Sequence, residues 1–103
     1  MIIAYSKNLV PIRLTEERWS HIIRRHPEIK NQKTKVIETI SNPDMICLGD
    51  FGELLAVRFY QETPLTQKYF IIAYKEISTK DGFIVTAYFT NKPSERRKIV
   101  WKP

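Results

Sequence analysis

Two long β-rich runs near the C-terminus, Lys68–Ile77 and Phe83–Thr90, constrain the fold of this chain more than any other feature. They are joined at Thr79-Lys80-Asp81-Gly82. Asp-Gly between two such runs is a strong hairpin signal, because both residues tolerate the backbone of a tight turn. Two shorter runs, Met45–Gly49 and Glu53–Tyr60, flank Asp50-Phe51-Gly52 and predict a second hairpin. From Met45 onward the chain therefore reads as a four-strand antiparallel meander, interrupted by a loop at Gln61–Thr66.

Upstream, the period of the apolar residues changes. Thr15 has the side chain of a helix N-cap, and Glu16 and Glu17 follow where the helix dipole favours acids. Trp19, Ile22, Ile23 and His26 recur at i, i+3, i+4 and i+7, one face of a helix. Pro27 disfavours helical geometry at His26 and ends that helix. Val36, Ile37 and Ile40 predict a second helix over Lys33–Ile40, stopped by Asn42-Pro43-Asp44. Met1–Arg13 reads as one or two short strands, Ile2–Tyr5 and Leu9–Arg13. The order of a short N-terminal β segment, two helices and four strands defines an α+β fold, with the helices packed on one face of an antiparallel sheet. At 103 residues there is room for one core, so residues 1–103 are expected to form one domain.

Helices on one face leave the other face of the sheet open, and alternation along each strand assigns side chains to faces. In the last strand, Phe83, Val85, Ala87 and Phe89 are the natural core-facing set, with Ile84, Thr86, Tyr88 and Thr90 opposite. Across the strands, Arg58, Tyr60, Lys75, Thr86 and Tyr88 can share one polar face. Cations, hydroxyls and aromatic rings on an open sheet suit a nucleic-acid strand. The same mixture also describes an ordinary solvated sheet face.

Composition narrows the classes that remain. With 43% apolar and 12% aromatic residues the chain can build a core without cross-links. Its one cysteine, Cys47, forms no internal disulfide, fits a reducing compartment and falls in a buried strand as an inert thiol. No apolar run reaches the roughly 18–20 residues that span a bilayer. MIIAYSKNLV lacks the basic start and cleavage site of a signal peptide, so a cytoplasmic location without membrane contact is expected. His21 and His26 lie at i, i+5, no HExxH or CxxC is present, and Gly49, Gly52 and Gly82 form no phosphate-binding loop. No metal and no cofactor is expected.

Charge is the first positive clue. Seventeen Lys and Arg against eleven Asp and Glu leave +6, the electrostatic footprint of a polyanion binder as well as of a soluble basic protein. Residues 13–35 hold seven basic and three acidic side chains, net +4, and residues 92–103 hold five and one, again +4. Residues 36–66 hold five acids and only Arg58 as a base, net −4.

The run Arg13-Leu-Thr-Glu-Glu-Arg-Trp-Ser-His-Ile-Ile-Arg-Arg-His-Pro-Glu resembles the first helix of small phage- and mobile-element-associated proteins. The closing segment Gly82-Phe-Ile-Val-Thr-Ala-Tyr-Phe-Thr is similar to their last long strand. These proteins are grouped with the barnase–EndoU–colicin–RelE-like ribonucleases, and the resemblance covers about residues 12–102. It implies helices followed by a four-strand antiparallel sheet, and an endoribonuclease that cleaves RNA without metal. It also implies, as in many members, a toxin held in check by an antitoxin or immunity protein.

Such cleavage uses the RNA 2′-hydroxyl as nucleophile and needs a base, an acid and donors for the charged phosphorane. Histidine suits acid–base work near neutrality, and both histidines lie in the first helix. His26, at the helix end beside the core stripe, can reach over the sheet edge and is the favoured catalytic candidate; it can equally serve as a helix cap. His21, about 140° away around the helix, is the weaker one. Lys75 would stabilise transition-state charge, while Thr86 and Tyr88 would bind phosphate or move a proton. Arg58, Arg25, Arg96, Arg97 and Lys98 are candidate RNA contacts. A catalytically inert RNA- or protein-binding module of the same fold is the alternative, and convergence of the candidates on one cleft separates the two.

Overall fold

A computed structural model describes the chain from Met1 to Pro103. The elements run β1 (Ile2–Tyr5), β2 (Pro11–Leu14), α1 (Glu16–Arg25), a 3-10 turn (Pro27–Ile29), α2 (Lys33–Ser41), β3 (Met45–Leu48), β4 (Leu54–Phe59), β5 (Tyr69–Ser78), β6 (Asp81–Thr90) and β7 (Ile99–Trp101). The α+β class, both helices and the β3–β4 and β5–β6 hairpins are those the sequence predicts.

The sheet differs from expectation. It has seven strands in the order β1-β2-β6-β5-β4-β3-β7 and is mixed, not a four-strand antiparallel sheet. The predicted meander forms its middle. The β1–β2 hairpin joins it through a short parallel pairing, Ile12 with Gly82 and Arg13 with Phe83. At the other edge the C-terminal tail adds β7, where Trp101 pairs with Ile46 and Ile99 with Cys47. Both additions join segments far apart in sequence, so no local pattern announces them. α2 packs against β1 as well as β4 and β5, which requires the sheet to curl around it. The curl brings Lys7, in the β1–β2 turn, to 5.2 Å from the Trp101 ring on the opposite edge.

Local chemistry starts and stops the helices. The Thr15 hydroxyl accepts the Arg18 N–H at 3.1 Å, Glu16 and Glu17 occupy the first turn, and Arg24 and Arg25 the last. His26 is the C-cap, its N–H bonded to the Ile22 carbonyl at 2.9 Å. No side chain caps the start of α2 at Gln32, so its stability comes from burying Val36, Thr39 and Ile40.

Two cores lie on the two faces of the sheet. On the helix face Trp19, Ile22, Val36 and Ile40 pack with Ala56, Phe70, Ile72, Tyr74, Ile84, Ala87 and Phe89. On the other face Cys47, Leu55, Val57, Ile71 and Ala73 form a smaller cluster against Tyr88 and Val85. The predicted core set of β6 is therefore half right. Ala73 pairs with Thr86 but Tyr74 pairs with Ile84, so Val85 is an inserted residue that shifts the alternation. Ala87 and Phe89 stay in the main core, Ile84 joins them, and Val85 turns to the open face.

The β5–β6 turn is Thr79-Lys80, with Asp81 already opposite Ser78 and Gly82 opposite Glu76. Gly82 thus serves packing and not the turn. A Cβ there would stand 2.5 Å from the Lys75 carbonyl oxygen and 2.6 Å from Ile12 Cδ1. The predicted strand from Leu9 also begins later, at Pro11, because Leu9 takes a left-handed φ of 63° in the β1–β2 turn. Arg13 ties β2 to the head of β6 through two bonds to Asp81, at 2.8 and 3.1 Å. These bonds hold the Asp81 carboxyl below its ordinary range.

Gly82→Ala is expected to destabilise the protein by about 1–3 kcal/mol, read as a lower denaturant midpoint in chemical unfolding. The Asp81 contribution is full above the unfolded carboxyl value of about 3.9 and is lost as pH falls through the depressed folded value. The gap in Tm between wild type and Asp81→Asn should therefore be widest near pH 7 and close toward pH 2.

Candidate active site

Only the first part of β6 has a neighbouring strand on its β2 side. After pairing with Gly82 and Phe83, β2 leads into α1, and from Ile84 to Thr90 that edge has no strand partner. α1 packs against β6 instead and ends beside Tyr88. The His26 and Tyr88 rings lie 6.2 Å apart between centroids, tilted by 31°. Tyr88 belongs to the open face, so the imidazole reaches over the sheet edge from the helix side. His26 is 34% exposed, with Nδ1 3.6 Å from a Glu28 carboxylate oxygen.

Tyr88 and Thr90 form one wall of a cleft of about 230 Å³ on the open face. Leu55, Val57 and Ile71 make its floor, with Cys47 beside them. The opposite wall is Lys92, Pro93, Ser94 and Arg97, from the segment that crosses from β6 to β7 at the far edge. Arg97 is held by Asp50 through contacts of 3.0 and 3.5 Å. Burial pushes the Tyr88 phenol up, partly opposed by Arg97 and reinforced by Glu53. Burial likewise pushes the Cys47 thiol up against the weaker pull of Arg97, which leaves it a poor nucleophile. No three His, Cys, Asp or Glu side chains group as metal ligands.

The structure separates the predicted residues. His26 and Tyr88 meet, and Thr86, paired with Ala73, sits two residues from Tyr88 on the same face. Lys75 shares that face but lies opposite Phe83, four residues along β5 from Ile71, the partner of Tyr88. That is about 13 Å along the strand, too far to share a phosphate with Tyr88. His21 points outward from α1 beside Arg18 and Arg24, away from the cleft, and Arg25 is exposed in the last turn.

Arg58 and Tyr60 lie on the helix face, so the predicted polar face of five residues is split between two sides. Both faces of β4 are largely apolar, Leu54 and Ala56 on one side and Leu55 and Val57 on the other, so its alternation does not say which face meets the helices. Arg58 donates to the Asn42 carbonyl at 2.6 Å, lies 3.7 Å from Glu38 and stacks 5.5 Å from the Tyr60 ring. It fastens the end of α2 to β4. Arg97 enters the cleft wall, while Arg96 and Lys98 lie outside it near Leu48 and Asp50. Thr90 and Lys92 also line the cleft; the alternation Thr86, Tyr88, Thr90 marks the first in the sequence, and nothing local marks the second.

Compared with known protein families, with curated proteins and with solved structures, the chain matches none.

Cys47 should react with iodoacetamide at pH 7 at least about tenfold more slowly in the folded protein than in denaturant. Equal rates, followed by mass spectrometry, would contradict the buried thiol described above.

Proposed function

We propose that this chain is a metal-independent endoribonuclease acting at the cleft beside β6. The observation that carries the reading is the meeting of His26 and Tyr88 at the edge of a cleft walled by Arg97 and Lys92. The two stretches that resemble the ribonuclease superfamily, the first helix and the last long strand, are the two that meet there.

The substrate 2′-oxygen attacks phosphorus, the bond to the 5′-oxygen breaks, and the products are a 2′,3′-cyclic phosphate and a 5′-hydroxyl. The His26 imidazole takes the 2′ proton. The Tyr88 phenol, protonated at neutral pH like any tyrosine, supplies one to the departing 5′-oxygen, and solvent exchange resets both groups. Arg97 and the Thr86 hydroxyl hold the phosphate oxygens as charge builds. A toxin role, with an antitoxin or immunity protein as partner and cytoplasmic RNA as target, belongs to the same reading.

Purified protein incubated with total RNA and excess EDTA should produce cyclic phosphate ends. His26→Ala should lower the rate by about 10²–10⁴-fold, and Tyr88→Phe should lower it as well with the fold unchanged by circular dichroism. Absence of cleavage, with salt-dependent RNA binding retained, would favour the inert binding module.

A further inference from the structure

We infer that the outer face of α1 is the track along which RNA backbone reaches the cleft, and that the basic C-terminal segment is not. This rests on the reading of the cleft as an RNA site. The chain has seven arginines, and the fold treats them in two ways. Arg13, Arg58 and Arg97 are each paired with a carboxylate, Asp81, Glu38 and Asp50 respectively. Arg18, Arg24, Arg25 and Arg96 are exposed, and their guanidinium groups make no ion pair and no side-chain hydrogen bond within the chain; three of these four lie on α1. Of the two acids in the first turn of α1, Glu16 faces Lys33 at 4.0 Å, which leaves Glu17 as the one carboxylate sharing the arginine face.

The C-terminal segment contrasts with this. Lys92 pairs with Glu95 at 2.9 Å and Arg97 with Asp50 at 3.0 Å, so two of its five cations are neutralised, whereas none of the three α1 arginines is. The α1 face carries a shallow depression lined by Thr15, Glu17, Arg18, His21 and Arg24, with no apolar side chain. An apolar partner has nothing to bury there. Free guanidinium groups on exposed stems offer forked donors to phosphate and release counterions on binding. The track also leads to the right place. α1 ends at His26, eight residues or about 12 Å from Arg18, and His26 lies beside Tyr88 in the cleft wall.

The test is binding of a mixed-sequence single strand with every 2′-hydroxyl methylated, which separates binding from cleavage. Affinity is measured against salt for the wild type, for Arg18→Ala/Arg24→Ala and for Arg96→Ala/Lys98→Ala, all exposed positions whose folding is checked by Tm. Loss of two phosphate contacts should make the slope of log K against log salt shallower by about 1.4 for the α1 pair. The C-terminal pair should change it by less than half as much. An unchanged slope and affinity in the α1 pair, or a larger effect from the C-terminal pair, would overturn the track. If wild type binds through α1 but cleaves no unmodified RNA, the track stands and the nuclease reading fails. If RNA is cleaved while the α1 pair binds as wild type does, the track fails and the nuclease reading stands.

Discussion

The parallel contact between β2 and β6 involves two residue pairs, yet the placement of most other elements depends on it. It requires the chains to approach closely at Gly82, where any side chain would strike the Lys75 backbone and Ile12. Arg13 and Asp81 then clamp the joint from the surface. Because β2 stops there and α1 follows at once, the helix lies against the part of β6 that has no strand neighbour. The position of His26 follows from this geometry, since the helix that begins at Thr15 has just the length needed to end beside Tyr88.

A second device allows β6 to serve the core and the cleft together. A strand without irregularity would send alternate residues to fixed faces along its whole length. The bulge at Val85 breaks that rule once, so Ile84 joins Ala87 and Phe89 beneath the helices while Val85, Thr86 and Tyr88 stay on the open face. β5, beside it, is buried on both sides, with Phe70, Ile72 and Tyr74 in one core and Ile71 and Ala73 in the other. The floor of the cleft is therefore the outer skin of a closely packed sheet, a rigid support for the side chains around it.

Burial and ion pairing divide the polar residues between those tied into the fold and those left facing the cleft or water. Tyr60 is pushed up to about 12 by burial and rests against Thr39, at 3.1 Å, as a brace between α2 and the sheet. Tyr88, shifted in the same direction, stands at a cleft wall. Arg58 and Arg13 are tied into the fold, whereas the arginines of α1 face water without partners. Residue type alone does not separate these roles; the neighbour of each side chain does.

Local features were legible in the amino-acid sequence because their causes are local. The Thr15 cap, the Pro27 stop, the 3.6-residue period of α1 and the β-rich runs each act over a few residues, and they determined the helices, both hairpins and the α+β class. His26 at a helix end and the threonine–tyrosine alternation of β6 were visible for the same reason. Pairing between distant segments was not. The parallel joint of β2 with β6 and the return of the tail as β7 join residues roughly 70 and 55 positions apart, and such contacts are chosen by burial of the whole core once loop-closure entropy has been met. The bulge was equally hidden, because one inserted residue leaves composition unchanged while moving its neighbours to new faces. So the sequence by itself determined the two helices and the strands of both hairpins, and it marked the candidate residues. Only the tertiary structure decided that Tyr88 meets His26, that Lys75 stands about 13 Å away, and that Arg58 belongs to the fold, because those outcomes depend on register and packing across the whole sheet.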